Sequence, residues 1–188
     1  MGRSIDLIIL AAGRGSRMKG LTSELPKCLT PLLGESLLSW QTRAAQVAGF
    51  DRVHLIGGYA REKLPSDLLR FVNPRWAETN MVVTLFQAAE ILSDRPCLVA
   101  YSDIVYRPEH LIALWEAAGT CAVLYDLDWE SLWRLRNEDF LADAESFKSK
   151  DGKLLTIGEK GVPLSEIEGQ YMGLLKFTPA AWVRIEAV

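Results

Sequence analysis

Three cations and two glycines near the N-terminus are the residues whose types and spacing could do chemistry. The apolar run Leu7-Ile8-Ile9-Leu10 passes through Ala11-Ala12 into Gly13-Arg14-Gly15-Ser16-Arg17, and Lys27 follows within Leu25-Pro26-Lys27-Cys28. An unbroken apolar run reads as a strand buried on both faces. Glycine lacks a Cβ and tolerates positive φ, so successive amides beyond that strand can converge on an anion while Arg14, Arg17 and Lys27 supply formal charge. That chemistry suits a polyphosphate. A tight strand-to-helix turn with basic side chains in water would use the same glycines, but two arginines inside the loop and a Pro-Lys downstream favour phosphate. The loop is not a Walker A motif, because the residue five after Gly13 is Met18 and no Lys-Ser/Thr pair follows. Nor is it a dinucleotide fingerprint, since Met18 stands where glycine is needed and the second strand ends in Gly57-Gly58 rather than an acid.

A second apolar run, Pro96 to Ser102, ends at Asp103. In open α/β sheets ligands collect beyond the carboxyl ends of the strands, so Asp103 and the Gly13 loop are expected to face one site. Asp103 could cap a turn before Pro108. An acid opposite an anion loop is also where Mg²⁺ would sit to bridge phosphates, and that reading is preferred.

The intervening chain must position these groups. Ser36 is expected to cap a helix to Ala48 with Leu37, Trp40, Ala44 and Val47 as its apolar stripe, stopped by Gly49. A strand over Arg52–Ile56 leads through Gly57-Gly58-Tyr59 to a charged helix around Arg61–Leu69 and a strand over Arg70–Val72. The polar loop 73–80 then reaches Thr79 or Asn80, a helix cap for Val82, Leu85, Phe86, Ala89 and Leu92 on one face. A helix from Pro108 to Ala118 and a strand from Thr120 to Tyr125 come next. Asp128 is a plausible cap before Trp129, Leu132 and Trp133, whose spacing also suits a core. Strands are read around Glu145–Lys148, Leu154–Ile157 and Gln170–Phe177, with a helix starting at Pro179.

With 188 residues, 49% hydrophobic, and a net charge of −3, the chain can bury one sizeable α/β core. A single domain over residues 1–188 is expected, with a nucleotide-binding half to about 125 and an acceptor-binding half over about 126–188. No basic stripe or zinc spacing points to nucleic acid, no apolar stretch is long enough for a membrane span, and the N-terminus enters a strand without a signal-peptide layout. A cytoplasmic location follows as an expectation. Cys28, Cys97 and Cys121 are read as buried free thiols, and His54 and His110 as structural or surface residues.

Ala11-Ala12-Gly13-Arg14-Gly15-Ser16-Arg17-Met18, taken with Pro26-Lys27-Cys28-Leu29-Thr30-Pro31-Leu32, resembles the signature of the nucleotidyltransferases that activate sugar phosphates and phosphocholine. The Thr79-Asn80 turn and the Gly169-Gln170-Tyr171 strand are most similar to the phosphocholine and aminoalkylphosphonate cytidylyltransferase branch. The resemblance implies a Rossmann-like three-layer α/β fold with a mixed sheet of the nucleotide-diphospho-sugar transferase type, lacking its C-terminal part and with it a second acidic ligand. It implies nucleotide binding by Leu10, Ala11, Ala12, Gly13, Arg14, Gly15, Ser16, Thr79, Asn80 and Ser102, catalysis by Arg17, Lys27 and Lys160, and Mg²⁺ on Asp103. The implied reaction is attack by a phosphate or phosphonate on the α-phosphorus of a nucleoside triphosphate, CTP being favoured, with loss of pyrophosphate. Trp129, Trp133, Glu168 and Tyr171, together with Trp76, Asp126 and Asp128, could form an aromatic, acidic pocket for the ammonium head of phosphocholine or a related acceptor. A sugar 1-phosphate acceptor, a nucleotide-binding module without turnover and a homo-oligomer remain open.

Overall fold

The computed structural model describes residues 3–15, 24–136 and 138–187. In chain order the elements are β1 (Arg3–Ala11), β2 (Pro31–Leu32), β3 (Glu35–Ser36), α1 (Leu37–Val47), β4 (Phe50–Gly57), β5 (Leu69–Val72), α2 (Met81–Phe86), α3 (Ala89–Asp94), β6 (Cys97–Tyr101), α4 (Pro108–Glu116), β7 (Cys121–Asp126), α5 (Trp129–Arg136), β8 (Glu145–Lys150), β9 (Lys153–Lys160), β10 (Gln170–Phe177) and α6 (Pro179–Glu186). A six-stranded sheet has the order β5-β4-β1-β6-β10-β7. β1 pairs in parallel with both β4 and β6, β4 in parallel with β5, and β10 antiparallel with β6. The expected α/β architecture with a mixed sheet is the one observed.

The chain divides into two compact units, Met1–Ala122 with Gly173–Val188, and Val123–Met172. In the first, Leu7, Ile8 and Ile9 are wholly buried, as a central strand covered on both faces requires. Ile8, Ile56 and Val99 share one core with Leu85, Ile91 and Leu92 of α2 and α3 and with Trp182 of α6. By the alternation of the strands, Leu7, Ile9, Leu55, Leu98 and Ala100 face the other way. The second unit has its own small core of Trp129, Ala144 and Ile167, flanked by Trp133, Phe140, Leu141 and Val162. Its β8–β9 hairpin turns at Asp151-Gly152, and Tyr125 stacks on Phe147 with ring centres 4.5 Å apart.

Local expectations were met unevenly. The Ser36 hydroxyl accepts from Ser39 N–H at 3.0 Å and starts α1. The buried stripe of α1 is rotated by about one position from the apolar pattern: Leu38, Gln41, Ala44 and Ala45 are buried, whereas Val47 is 70% exposed. The helix expected over Arg61–Leu69 is one 3₁₀ turn, Arg61–Lys63, because Pro65 forces Leu64 into an extended conformation at φ −75°, ψ 148°. The single helix expected after Asn80 is two, since Gln87 and Ala88 donate to Thr84 and Leu85, three residues back rather than four, and tighten the coil between α2 and α3.

At the edge of the first unit's sheet where β1 begins, the buried Asp6 carboxylate meets Arg52 at 3.0 Å and His54 at 2.6 Å, with Arg95 at 3.8 Å. A buried carboxylate needs such partners. His54 is therefore structural, as expected. Among the described residues no helix is long and apolar enough to cross a membrane.

The thiols differ from expectation at one position: Cys28 and Cys97 are buried, but Cys121 is exposed. Burial pushes Cys28 up to about 12; burial, and then the nearby Asp6 carboxylate, push Cys97 up to about 12. Native protein is therefore expected to react with a thiol-titrating disulfide reagent at Cys121 alone. The rate should rise about tenfold per pH unit below that thiol's pKa, because only the thiolate attacks. Urea should release all three cysteines. Colour equivalent to three thiols before unfolding would contradict this placement.

Candidate functional site

Because β1, β4 and β6 run parallel, their carboxyl ends at Ala11, Gly57 and Tyr101 open on one edge of the sheet. The chain leaves β1 for β4 on one side and later adds β6 on the other, which is the strand-order reversal where α/β sheets form a crevice. A cleft of about 450 Å³ lies there. Leu10, Ala12, Gly13 and Gly15 line it from the end of β1, and Tyr101, Ser102 and Asp103 from the end of β6. Lys27 enters from the 3₁₀ turn Lys27–Leu29, and Trp76, Thr79, Asn80, Met81 and Thr84 from the loop before α2 and its first turn.

Two glycines set the spacing. Gly15 has φ +69°, and a Cβ there would stand 2.9 Å from Lys27 Cδ, so this position admits the lysine stem as well as the left-handed turn. Gly13 shows no positive φ, so the freedom expected at both positions is used at one. At Gly58 a Cβ would meet the Ala12 carbonyl oxygen at 2.7 Å and Trp76 Cβ at 2.7 Å. The Tyr59 amide donates to that same Ala12 carbonyl at 2.9 Å. The loop after β1 and the loop after β4 thus lie backbone to backbone.

Lys27 Nζ donates to the Asp103 carboxylate, so two groups 76 residues apart in sequence meet in the cleft as an ion pair. The donor chemistry suits a hard divalent cation once Lys27 moves aside: Asp103 brings carboxylate oxygens to the cleft, beside the backbone of Gly13 and Gly15. Among the described residues no cluster of three His, Cys, Asp or Glu could hold a metal by protein alone. Mg²⁺ typically takes one or two carboxylates and completes its shell with phosphate oxygens and water.

Asn73 holds the other side of the cleft. It is 1% exposed, donates from Nδ2 to the Thr79 and Thr84 hydroxyls at 2.9 and 3.0 Å, and accepts from the Arg75 amide at 3.0 Å. Thr79 in turn donates to the Arg75 carbonyl at 2.8 Å. Asn80 is the helix cap, its Oδ1 accepting from Val82 and Val83 amides at 3.0 and 3.1 Å. Tyr101 Oη donates to the Met81 sulfur.

The cleft therefore gathers Leu10, Ala12, Gly13, Gly15, Lys27, Thr79, Asn80, Ser102 and Asp103 from the residues singled out by sequence. Ala11 is buried beneath the loop at 2% exposure. Arg14 lies outside the lining, its guanidinium 5.7 Å from the Tyr59 ring centre, and Tyr59 packs edge-on to Trp76 at 5.2 Å. Ser16 and Arg17 lie outside the described residues. Trp76, which the sequence groups with the acceptor aromatics, lines this cleft. Asn73, Met81, Thr84 and Tyr101 were not anticipated. Thr84, four residues after a helix cap and so one turn above it, was the one that spacing could have found.

The remaining candidates belong to the second unit. Trp129 is 3% exposed, packed in that unit's core against Trp133 and Phe140, so its indole serves packing and has little surface to give a ligand. Trp133 is half-buried. Glu168 accepts from the Ser149 amide at 2.8 Å, and Tyr171 is the second residue of β10. Lys160 is exposed at the end of β9, 3.7 Å from Glu145 and 3.9 Å from Asp143.

Residues 7–152 match the MobA-like NTP transferase domain. The chain is 33% identical over 185 residues to the CTP:phosphoglutamine cytidylyltransferase of Campylobacter jejuni, covering 93% of this chain and 73% of that protein. It is 29% identical over 113 residues to the 2-aminoethylphosphonate cytidylyltransferase of Lancefieldella rimae, covering 56% of this chain and 46% of that one. The fold superposes on the inositol-1-phosphate CTP transferase from T. maritima with a TM-score of 0.76 at 17% identity, over 100% of this chain and 76% of that chain.

Proposed function

From the membership of this chain in the MobA-like NTP transferase family, which makes it a nucleotidyltransferase, we propose that it transfers CMP from CTP to a small phosphate or phosphonate, releasing pyrophosphate. The observation that carries the reading is the meeting of Lys27 and Asp103 in a cleft lined by Gly13 and Gly15. CTP is favoured because the two relatives above are named for cytidylyl transfer.

An acceptor phosphate has a second pKa near 6, so its oxygen is already anionic at neutral pH and needs no general base. That oxygen attacks the α-phosphorus. The bond from the α-phosphorus to the oxygen bridging to the β-phosphorus breaks, and its electron pair leaves on pyrophosphate. Positioning and charge neutralisation then carry the catalysis. The Gly13–Gly15 backbone would receive the phosphates, and Lys27, drawn from Asp103 towards them, would stabilise the charge gathering on the leaving group. Arg17 is proposed to share that load. Asp103 would hold Mg²⁺, which when bound lowers the repulsion between triphosphate and incoming anion.

For the acceptor, the packing of Trp129 removes one wall of the cage that a trimethylammonium would want. Phosphocholine therefore ranks behind acceptors held through hydrogen bonds, such as a phosphorylated amide or an aminoalkylphosphonate. Pyrophosphate release with CTP, GTP, UTP and dTTP against phosphoglutamine, 2-aminoethylphosphonate, phosphocholine and glucose 1-phosphate tests this. Turnover with CTP and one of the first three is expected. Turnover only with the hexose phosphate would replace the reading with NDP-sugar synthesis, and calorimetric CTP binding without pyrophosphate from any acceptor would leave a nucleotide-binding module.

A further inference from the structure

Gln41 is a polar side chain on the buried face of α1, with no exposed surface. Its Nε2 donates to the carbonyl of Tyr101 at 3.0 Å and to that of Ile104 at 2.6 Å. Both partners are carbonyl oxygens, which only accept, so the amide orientation is fixed and both of its N–H groups are used. Its Oε1 is buried without a hydrogen-bond partner. An orphaned buried acceptor is a standing cost, and an apolar side chain of similar size would avoid it. The nitrogen end must therefore do something that a hydrocarbon cannot. The two carbonyls it joins bracket Ser102 and Asp103, the turn that brings the carboxylate to Lys27.

We propose that Gln41 is a positioning residue for Asp103: by tying Tyr101 and Ile104 to α1, it holds the turn in the shape that presents the carboxylate to a divalent cation and the triphosphate. Gln41 does not itself line the cleft, so its effect passes through the turn. α1 is a firm anchor for this purpose, capped by Ser36 and packed through Leu38, Ala44 and Ala45. The proposal rests on the reading of Asp103 as the residue that takes the cation.

The test is Mn²⁺ binding in the presence of CTP, followed by electron paramagnetic resonance of the free ion, in Gln41→Met, Leu38→Ala and Asp103→Asn proteins. Gln41→Met keeps the side-chain length and loses both donors. It should weaken Mn²⁺ about tenfold, the scale at which groups supporting a metal ligand act. CTP binding measured in a chelator should stay unchanged, and kcat should fall more than the KM for CTP rises. Leu38→Ala loses packing on the same helix without removing a hydrogen bond to the turn and should leave Mn²⁺ affinity unchanged. Equal Mn²⁺ affinity in Gln41→Met and the parent, or an equal loss in Gln41→Met and Leu38→Ala, overturns the proposal. In either case, loss of Mn²⁺ binding in Asp103→Asn would leave the cation reading standing. Undiminished Mn²⁺ binding in Asp103→Asn overturns both. Should Gln41→Met not fold, Gln41→Asn, whose amide is pulled back by one carbon, takes its place and is expected to weaken Mn²⁺ about threefold to tenfold. Unchanged affinity there overturns the proposal equally.

Discussion

Lys27→Ala is expected to lower kcat for pyrophosphate release by a factor on the order of a hundred to a thousand, the usual cost of removing one preorganised group aimed at developing charge. The effect should fall on turnover more than on nucleotide affinity, because negative charge concentrates on pyrophosphate only as the bond breaks. Lys27→Arg should recover part of the rate and not all of it: the charge is kept, but the stem runs against Gly15, where even one added carbon would stand 2.9 Å from Lys27 Cδ. Steady-state kinetics with saturating acceptor and varied CTP checks both. A Lys27→Ala enzyme within about threefold of the parent would remove Lys27 from the chemistry and leave its pairing with Asp103 as surface electrostatics, worth about 1 kcal/mol or less.

Gly58→Val should destabilise the protein by about 2–3 kcal/mol, and whatever folds should bind CTP at least about tenfold more weakly. The obstruction is backbone, since the added Cβ would lie 2.7 Å from the Ala12 carbonyl oxygen and 2.9 Å from Ala12 Cβ, and neither can swing away. Relief requires the loop after β4 to lift from the loop after β1. That movement shifts Trp76, whose Cβ is the third close atom, together with the glycine loop that lines the same cleft. Urea unfolding and calorimetry read the two losses separately. A Gly58→Val protein with unchanged midpoint and unchanged CTP affinity would show that the two loops do not need their close approach.

What could be read in the sequence follows from how local each signal is. The Leu7–Leu10 part of β1 and the whole of β6 are unbroken apolar runs followed by small residues or an acid, and such runs announce both a buried parallel strand and the edge where ligands gather. The Ser36 and Asn80 caps were legible because capping is settled within three residues. Gln41 was not legible as a buried residue, because periodicity arguments assign polar side chains to water, and its partners are carbonyls about 60 positions away whose approach only the tertiary fold decides. Asn73 was missed for the same reason: its role is a pattern of hydrogen bonds to hydroxyls brought together by the loop. Trp129 illustrates the opposite limit. An aromatic beside acids suits both a cation cage and a small core, and burial decides between them.

The charged cluster at the start of β1 reaches further than its own corner. Asp6 is aligned with Arg52 on β4 and Cys97 on β6, and Arg52, His54 and Arg95 close around its carboxylate. Sliding β1 by one step along its neighbours would displace the far end of the strand by about 3.3 Å and turn the carboxylate to the opposite face, away from all three cations. Asp6 thus acts as the zero mark of a ruler five residues long: it meters how far Ala11 and the glycines project beyond the sheet. Repairs or insertions aimed at the glycine loop should leave that distant mark untouched.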